Sequence, residues 1–177
     1  MFRRINANMY QLRTSQVIQL PRERVFAFFE DPRNLFEITP DWLDFRMIDP
    51  DAGARVFEGA GYDYSIKWLP WLWRTRWRSR IRQYSPPERF TDMQITGPYR
   101  SWEHLHTFEE VSDGTRIKDI MTYRLPFGLI GKFVHHILIG SPLEDIFSYR
   151  AVRIAEWATG NFSRKQKQLS ETERYNI

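Results

Sequence analysis

The amino-acid sequence predicts an α+β fold, in which a curved antiparallel sheet of about seven strands wraps around a long C-terminal helix. Runs of alternating apolar and polar residues recur along the chain, separated by turn signals such as Gly97-Pro98 and Asp113-Gly114, as is typical of a meander. Two short helical segments follow the first run. A single long apolar stripe of helical spacing lies near the C-terminus.

The N-terminal third predicts one strand and two short helices. Residues 9–20 alternate and form the first strand, which Pro21 ends. Residues 22–30 carry apolar side chains at helical spacing. Asp31-Pro32 is a cap followed by a first-turn proline, so a second short helix begins there and ends at Thr39-Pro40.

The middle of the chain predicts six further strands. Alternation begins at residues 43–47 and resumes after a turn cluster at residues 49–53. Prolines 70, 86 and 87 mark later turns. The strands are expected at residues 43–47, 56–68, 71–84, 89–96, 99–110 and 115–125.

The last element is a helix over residues 141–159. Ser141-Pro142-Leu143-Glu144 reads as a capping box with proline in the first turn, and Gly160 suits the C-terminal cap. We expect a single domain over residues 1–177, with a core at about 9–160 and a polar tail at 161–177. The apolar stripe consists of Leu143, Ile146, Phe147, Ile154, Trp157 and Ala158.

Composition sets limits on function. The chain has 177 residues and a net charge of +4, and its 28 aromatic side chains are enough to fill a core or line a cavity. The absence of cysteine excludes disulfides, thiolate chemistry and sulfur-bound zinc. The N-terminus lacks the apolar stretch of a secretory signal, and no apolar run approaches the roughly 20 residues of a membrane span. We therefore expect a cytoplasmic protein.

Two neighbouring strands carry an unusual face. Residues 90–108 read FTDMQITGPYRSWEHLHTF, and because strand side chains alternate between faces, residues two apart share one face. A face that mixes large aromatics with imidazoles and a carboxylate is typical of a pocket wall rather than of a plain core. Its members are Phe90, Asp92 and Gln94 on one strand and Trp102, His104, His106 and Phe108 on the other.

Two charged residues are expected to point into the same pocket. Asp119 shares its strand face with apolar residues, and Arg150 lies in the middle of the helical stripe. Since an unpaired buried charge destabilises a fold by roughly several kcal/mol, we expect Arg150 to pair with Asp119 or Asp92. The histidines are close enough to join this network.

Three interpretations of the cluster stay open. It is a structural network that fixes the helix to the sheet, the polar end of a ligand cavity, or a catalytic site. In a catalytic site, His104, His106 and Asp119 are the candidates for proton transfer, with Arg150 as anion stabiliser. The predicted ligand-binding residues are Trp73, Trp77, Phe90, Asp92, Gln94, Trp102, His104, His106, Asp119, Met121, Tyr123, Phe147 and Arg150.

We expect no metal and no cofactor. His-x-His on a strand can chelate a metal with a carboxylate as third ligand. No further histidine is placed to help, because His135 and His136 are adjacent and adjacent side chains rarely converge.

Several stretches resemble a known family. They are PRNLFEITPDWLDFRM (32–47), FTDMQITGPYRSWEHLHTF (90–108), KDIMTYRLPFG (118–128) and DIFSYR (145–150). Together with the element order, they resemble the polyketide cyclase/dehydrase and coenzyme Q-binding branch of the SRPBCC (START and birch-pollen-allergen) superfamily. The resemblance covers about residues 9–160. It implies a helix-grip fold with a central cavity, a scaffold on which this superfamily places lipid carriers, hormone receptors and cyclases.

Two other segments invite a functional interpretation. The stretch WRTRWRSRIR predicts a strand with arginines on its outer face, either solvated and paired with Glu58, Glu103 or Glu109, or facing RNA or an anionic membrane. We call Arg74, Arg76, Arg78, Arg80 and Arg82 the arginine face. The apolar segment at residues 125–140 is either packed over the cavity mouth or a mobile lid that contacts a membrane transiently.

The predicted function is the binding or transport of a hydrophobic small molecule, such as a lipid, an isoprenoid quinone or a polyketide-like aromatic. A cyclase, dehydratase or hydrolase acting on such a ligand is the alternative, so whether the protein is an enzyme stays open. An interaction protein that uses the arginine face is the third, although the exposed aromatics of an RNA-binding surface are missing there. The oligomeric state also stays open.

Overall fold

A computed structural model describes residues 2–5, 8–48, 55–67, 74–125, 140–163 and 165, and it confirms the predicted α+β helix-grip fold. The helices are α1 (Arg22–Glu30), α2 (Asn34–Glu37) and α3 (Ser141–Ala158), with a 3₁₀ turn at Asp41–Leu43. The strands are β1 (Phe2–Arg4), β2 (Met9–Ile18), β3 (Arg46–Met47), β4 (Gly61–Lys67), β5 (Arg74–Ser85), β6 (Arg89–Thr96), β7 (Ser101–Val111) and β8 (Gly114–Arg124).

All eight described strands form a single antiparallel sheet in the order β1-β2-β8-β7-β6-β5-β4-β3. Strands β3 to β8 follow one another as the predicted meander. The first long strand, β2, returns to pair with the last strand, β8, along its whole length, from Met9 opposite Arg124 to Ile18 opposite Thr115. The N-terminal strands therefore complete the sheet beside its C-terminal strand.

Alternation along the strands separates the two faces of the sheet. In β8 every second residue from Thr115 to Tyr123 is buried, and in β5 the buried residues Trp77, Ser79 and Ile81 alternate with exposed arginines. The buried face packs on the three helices. Phe26 of α1 meets Phe108 edge to face at 5.2 Å, and Gln16 of β2 donates to the Ala151 carbonyl of α3 at 2.9 Å.

Three strand predictions differ from the structure. β1 was not predicted, because three residues are too few for an alternation signal. Residues 43–47 give a strand only at Arg46–Met47, because the 3₁₀ turn ends on Asp44 in the left-handed conformation (φ 41°). Residues 56–60 precede β4 as a turn, in which Gly59 has φ 84° and donates to the Ile81 carbonyl. The predicted turns at 49–53 and Pro70 lie outside the described residues.

The bounds of α3 agree with the prediction to within one residue, but its start differs in mechanism. Among the described residues no side chain caps the helix N-terminus, so the expected capping-box hydrogen bond is not found there. Pro142 lies in the first turn, as predicted. Gly160 follows the helix with φ 77°, as expected of a C-terminal cap. No helix in the described part of the chain is both long enough and apolar enough to cross a bilayer.

Candidate functional site

A cavity of about 180 Å³ lies between the buried face of the sheet and α3. Aliphatic and aromatic side chains make up most of its wall, among them Trp77, Phe90 and Trp102 from the sheet and Phe147 from α3. Asp92, His104, His106 and Arg150 also line it and form its polar cluster. A mostly apolar pocket with a few convergent polar groups is the usual form of a small-molecule site.

Two imidazoles and one carboxylate form a buried network at the sheet wall of the cavity. His104 Nε2 lies 3.0 Å from Asp119 Oδ1, and His106 Nδ1 lies 2.7 Å from the same oxygen, although without the alignment of a hydrogen bond. Thr14 of β2 donates to Asp119 Oδ2 at 3.3 Å. We call His104, His106 and Asp119 the imidazole network. It joins β7, β8 and β2.

The surroundings of Asp119 and His104 set the charge of each of these two residues. Burial disfavours the charged carboxylate, but the hydrogen bond from His104 and the close contact with His106 outweigh it and hold the pKa of Asp119 well below its usual range. Burial, helped by the neighbouring His106, lowers the pKa of His104 to about 3. Asp119 is therefore ionised and His104 neutral at pH 7, so that the His104 Nε2–H donates to the carboxylate.

Arg150 projects from α3 into the cavity without a direct carboxylate partner. Its guanidinium lies 5.1 Å from the ring centre of Phe147, and its buried Nε has no hydrogen-bond partner among the described residues. Burial lowers the pKa of Arg150, while Asp119 and Asp92 act on it through space. The expected direct pairing is therefore wrong within the described residues. The imidazoles and Thr14 already occupy Asp119, and Asp92 acts on Arg150 only through space.

Asp92 lies in the same cavity on β6, opposite His104 of β7. Its Oδ1 is buried and has no hydrogen-bond partner among the described residues. Burial raises the pKa of Asp92, while Ser79, His106 and Arg150 act in the opposite direction. The cavity is therefore lined by a buried acceptor atom, Asp92 Oδ1, and a buried donor atom, Arg150 Nε, that have no hydrogen-bond partner among the described residues.

The other residues predicted for ligand binding fall into three groups. Trp77, Phe90, Trp102 and Phe147 line the cavity. Met121 and Tyr123 point inward but lie behind the wall, completely enclosed in the core. Gln94 faces the Gly97-Pro98 turn, where its side-chain amide donates to the Tyr99 carbonyl at 2.8 Å. Trp73 lies outside the described residues.

Sequence reasoning missed part of the cavity wall. The short helices contribute Phe29, Leu35 and Ile38, and β4 contributes Tyr62, Tyr64 and Ile66. Alternation in GYDYSIK places the three β4 residues on one face, so that signal was present in the sequence. Nothing in the spacing of α1 and α2 shows which of their apolar residues reach the cavity.

The imidazole network also has the donor set of a metal site. Its three ligand atoms lie within 4.8 Å of one another, and two imidazoles with a carboxylate suit zinc or iron. The nearby Arg150 guanidinium, on which Asp119 acts through space, opposes a divalent cation at this position. The residue types of the network therefore suit a metal ion, but the nearby positive charge of Arg150 opposes the binding of one.

The arginine face is largely paired with carboxylates. Asp63 of β4 accepts from both Arg76 (3.2 Å) and Arg78 (2.9 Å), and Arg74 pairs with Asp44. Arg82 lies 3.8 Å from Glu58. Of the three expected partners, Glu58, Glu103 and Glu109, only Glu58 pairs with the arginine face among the described residues. The predicted lid at residues 125–140 lies outside the described residues except at its two ends.

Comparison with known proteins gives a family match and a set of structural likenesses. A family model described as polyketide cyclase/dehydrase and lipid transport matches residues 18–144, from the end of β2 into the first turn of α3. No curated protein sequence matches the chain. The family match covers most of the sheet that walls the cavity.

Three solved structures illustrate the likeness. TTHA0849 from Thermus thermophilus is 17% identical, with 86% of this chain and 99% of that chain covered and a TM-score of 0.60. The di-domain ARO/CYC StfQ from the steffimycin biosynthetic pathway is 12% identical, with 87% and 53% covered and a TM-score of 0.60. Ara h 8.0201 is 11% identical, with 86% and 99% covered and a TM-score of 0.56. At these identities the likeness concerns the fold alone.

Proposed function

Because the chain belongs to the polyketide cyclase/dehydrase and lipid transport family within the SRPBCC superfamily, we propose that it binds a hydrophobic small molecule in the cavity beneath α3. Family and fold indicate either hydrophobic-ligand binding or a cyclase/dehydrase-like role. The observation that carries the proposal is the mostly apolar, aromatic-walled cavity with the polar cluster of Asp92, His104, His106 and Arg150. A cytoplasmic location is part of the proposal.

The size of the cavity favours a compact ligand. Its volume is about 180 Å³, whereas pockets that hold drug-sized ligands measure roughly 300–1,000 Å³. An engineered apolar cavity of about 150 Å³ binds benzene. One or two fused rings therefore fit inside, while an isoprenoid or acyl chain would extend beyond the described wall. Among the expected ligand classes, a polyketide-like aromatic fits this volume best.

An enzyme of cyclase or dehydratase type is the second candidate, and one observation favours it. Burial raises the pKa of Asp92, which lines the cavity together with Arg150. A carboxylate with a raised pKa is a better proton acceptor than an ordinary one, and a guanidinium can stabilise a developing oxyanion. With its pKa lowered to about 3, His104 is a poor general base, so Asp92 joins His106 and Asp119 as a candidate for proton transfer.

Ligand-dependent stabilisation tests the proposal. Tetralin, an uncharged two-ring hydrocarbon, should raise the melting temperature, since a ligand at 100 times its Kd stabilises a protein by about 2.7 kcal/mol. Ile146→Phe adds a ring to the cavity wall on α3 and should remove the effect. Val152→Phe on the exposed side of the same helix is the matched control and should leave it unchanged.

Two outcomes would count against hydrophobic-ligand binding. The first is an unchanged melting temperature of the unsubstituted protein at saturating tetralin. The second is an equal loss of the effect in the two phenylalanine variants, which would place the probe outside the cavity. Native mass spectrometry of freshly purified protein provides an independent measurement, because a bound hydrophobe would appear as a mass difference.

A further inference from the structure

Asp92 and Arg150 stand apart from the other polar groups of the cavity. The buried Asp92 Oδ1 and Arg150 Nε each lack a hydrogen-bond partner among the described residues. Both residues line the cavity, and each acts on the other through space without forming an ion pair. Each residue as a whole is only partly buried and lines the cavity, so its remaining polar atoms are accessible to a ligand there.

The imidazole network contrasts with this pair. Asp119 receives hydrogen bonds from His104 and Thr14 and has His106 Nδ1 in contact, so that its oxygens are occupied from within the sheet. Its residues join three strands, and its carboxylate is occupied without a ligand. Recognition of the polar part of a ligand therefore falls to the two residues that the network leaves out.

We propose that Asp92 and Arg150 together recognise a neutral ligand that carries one carbonyl and one hydroxyl group. The terminal N–H groups of the Arg150 guanidinium donate to the carbonyl oxygen, and the Asp92 carboxylate accepts a hydrogen bond from the hydroxyl group. This inference rests on the proposed function, since it names the chemistry of the ligand in the same cavity.

The charge balance selects against carboxylates. One guanidinium already faces two carboxyl groups, Asp92 and Asp119, through a medium that screens charge poorly. A ligand carboxylate would add a third acidic group to this enclosed cluster. A neutral carbonyl accepts from Arg150 without that repulsion, so the pair distinguishes a ketone from an acid of the same size.

A matched series of two-ring compounds tests the inference by calorimetric titration. Tetralin carries neither group, 1-tetralone carries the carbonyl, 4-hydroxy-1-tetralone carries both, and 1-naphthoate is the acid. A hydrogen bond to a charged group changes affinity about ten-fold or more. The Kd should therefore fall about ten-fold from tetralin to 1-tetralone and again to 4-hydroxy-1-tetralone, and 1-naphthoate should bind more weakly than 1-tetralone.

Two variants assign the effects to residues. Arg150→Met removes the donor and should abolish the advantage of 1-tetralone over tetralin. Asp92→Asn removes one acidic group and should tighten 1-naphthoate binding while reducing the advantage of the hydroxyl. Arg80→Met, on the exposed outer face of the sheet, is the control and should change neither ratio. Tetralin needs neither polar group, so its affinity reports whether each variant retains the cavity.

The results separate this inference from the proposed function. If tetralin binds and all four compounds have equal Kd values, or if 1-naphthoate binds tightest, the assignment of Asp92 and Arg150 is wrong while hydrophobic-ligand binding stands. If none of the compounds binds, both fail. Preferences that persist in Arg150→Met and Asp92→Asn would likewise overturn the assignment.

Discussion

Stability at mildly acidic pH depends on His104. In the folded protein burial lowers the pKa of His104 from 6.5 to about 3, whereas the unfolded chain restores the ordinary value. Above pH 6.5 the imidazole is neutral in both states and contributes no pH dependence. Below pH 6.5 the unfolded state takes up a proton that the folded state does not, so stability falls until about pH 3.

The size of the effect follows from this difference in proton uptake. Each pH unit over which only the unfolded state binds the proton costs about 1.4 kcal/mol. Between pH 6.5 and 4.5 the folded protein should therefore lose about 3 kcal/mol through this residue. That loss is a large share of the roughly 5–15 kcal/mol by which proteins of this kind are stable.

The neighbouring ionisable groups affect the pH dependence of stability in other ways. Asp119, whose pKa is held well below its usual range by the imidazoles, stays ionised in both states over this interval, and its own stabilisation is lost only below about pH 4. Asp92, whose pKa is raised by burial, has the opposite sign and stabilises the fold as pH falls. Arg150 stays charged throughout. A comparison of variants that retain these three residues isolates His104.

Urea unfolding at half-unit steps from pH 7.5 to 4.5 measures the effect. His104→Gln keeps an N–H donor for Asp119 but cannot titrate. Its free energy of unfolding should be lower than that of the unsubstituted protein at pH 7. Across the interval it should fall by about 3 kcal/mol less than that of the unsubstituted protein. Thr14→Val removes an uncharged donor to the same carboxylate and should keep the unsubstituted protein's pH slope. Equal slopes in the unsubstituted protein and His104→Gln would refute the reasoning.

Three further predictions concern other parts of the molecule. Gly114→Ala should cost more than about 1 kcal/mol of unfolding free energy, because Gly114 has φ 129° and a Cβ there would lie 2.2 Å from the Ile18 carbonyl oxygen. Gly160→Ala, with open space around it, should cost less in the same urea titration, and the reverse order would contradict the geometry. Metal analysis after chelation and addition of zinc, iron or manganese should give substoichiometric binding, because the Arg150 guanidinium opposes a cation at the imidazole network; one tightly held ion per chain would contradict this. Because the arginine face is largely paired with carboxylates, RNA and anionic vesicles should not bind it at physiological salt. Salt-resistant binding that is lost when Arg76, Arg78 and Arg80 are changed to glutamine would contradict this.

The sequence predicted the strands and the inward-facing residues because both follow from a period of two. The parity argument placed Asp119 beside His104 and His106, where the structure has it. The helical stripe placed Arg150 above the same face. These inferences need only the alternation of side chains within each element.

Pairings across elements could not be obtained from the same pattern. Whether Arg150 or Thr14 reaches Asp119 depends on the register of β2 against β8 and on the height of α3 above the sheet. The parity of β6 placed Gln94 with Asp92, yet the register shift between Arg78 and Ser79 and the nearby turn direct its amide to Tyr99. Local bulges and turns of this kind leave no trace in the alternation.

The pairing of β2 with β8 has a consequence for how the chain folds. Thr14 and Asp119 are 105 residues apart in the chain, yet they share a hydrogen bond behind the cavity wall. During synthesis the first long strand must wait for nearly all of the remaining sheet, with its edge unpaired, and closing so long a loop is an entropic barrier that slows folding. The cavity is therefore expected to form only late in folding, when β2 pairs with β8. A chain stalled before β8 would expose apolar strands and have no site for a ligand.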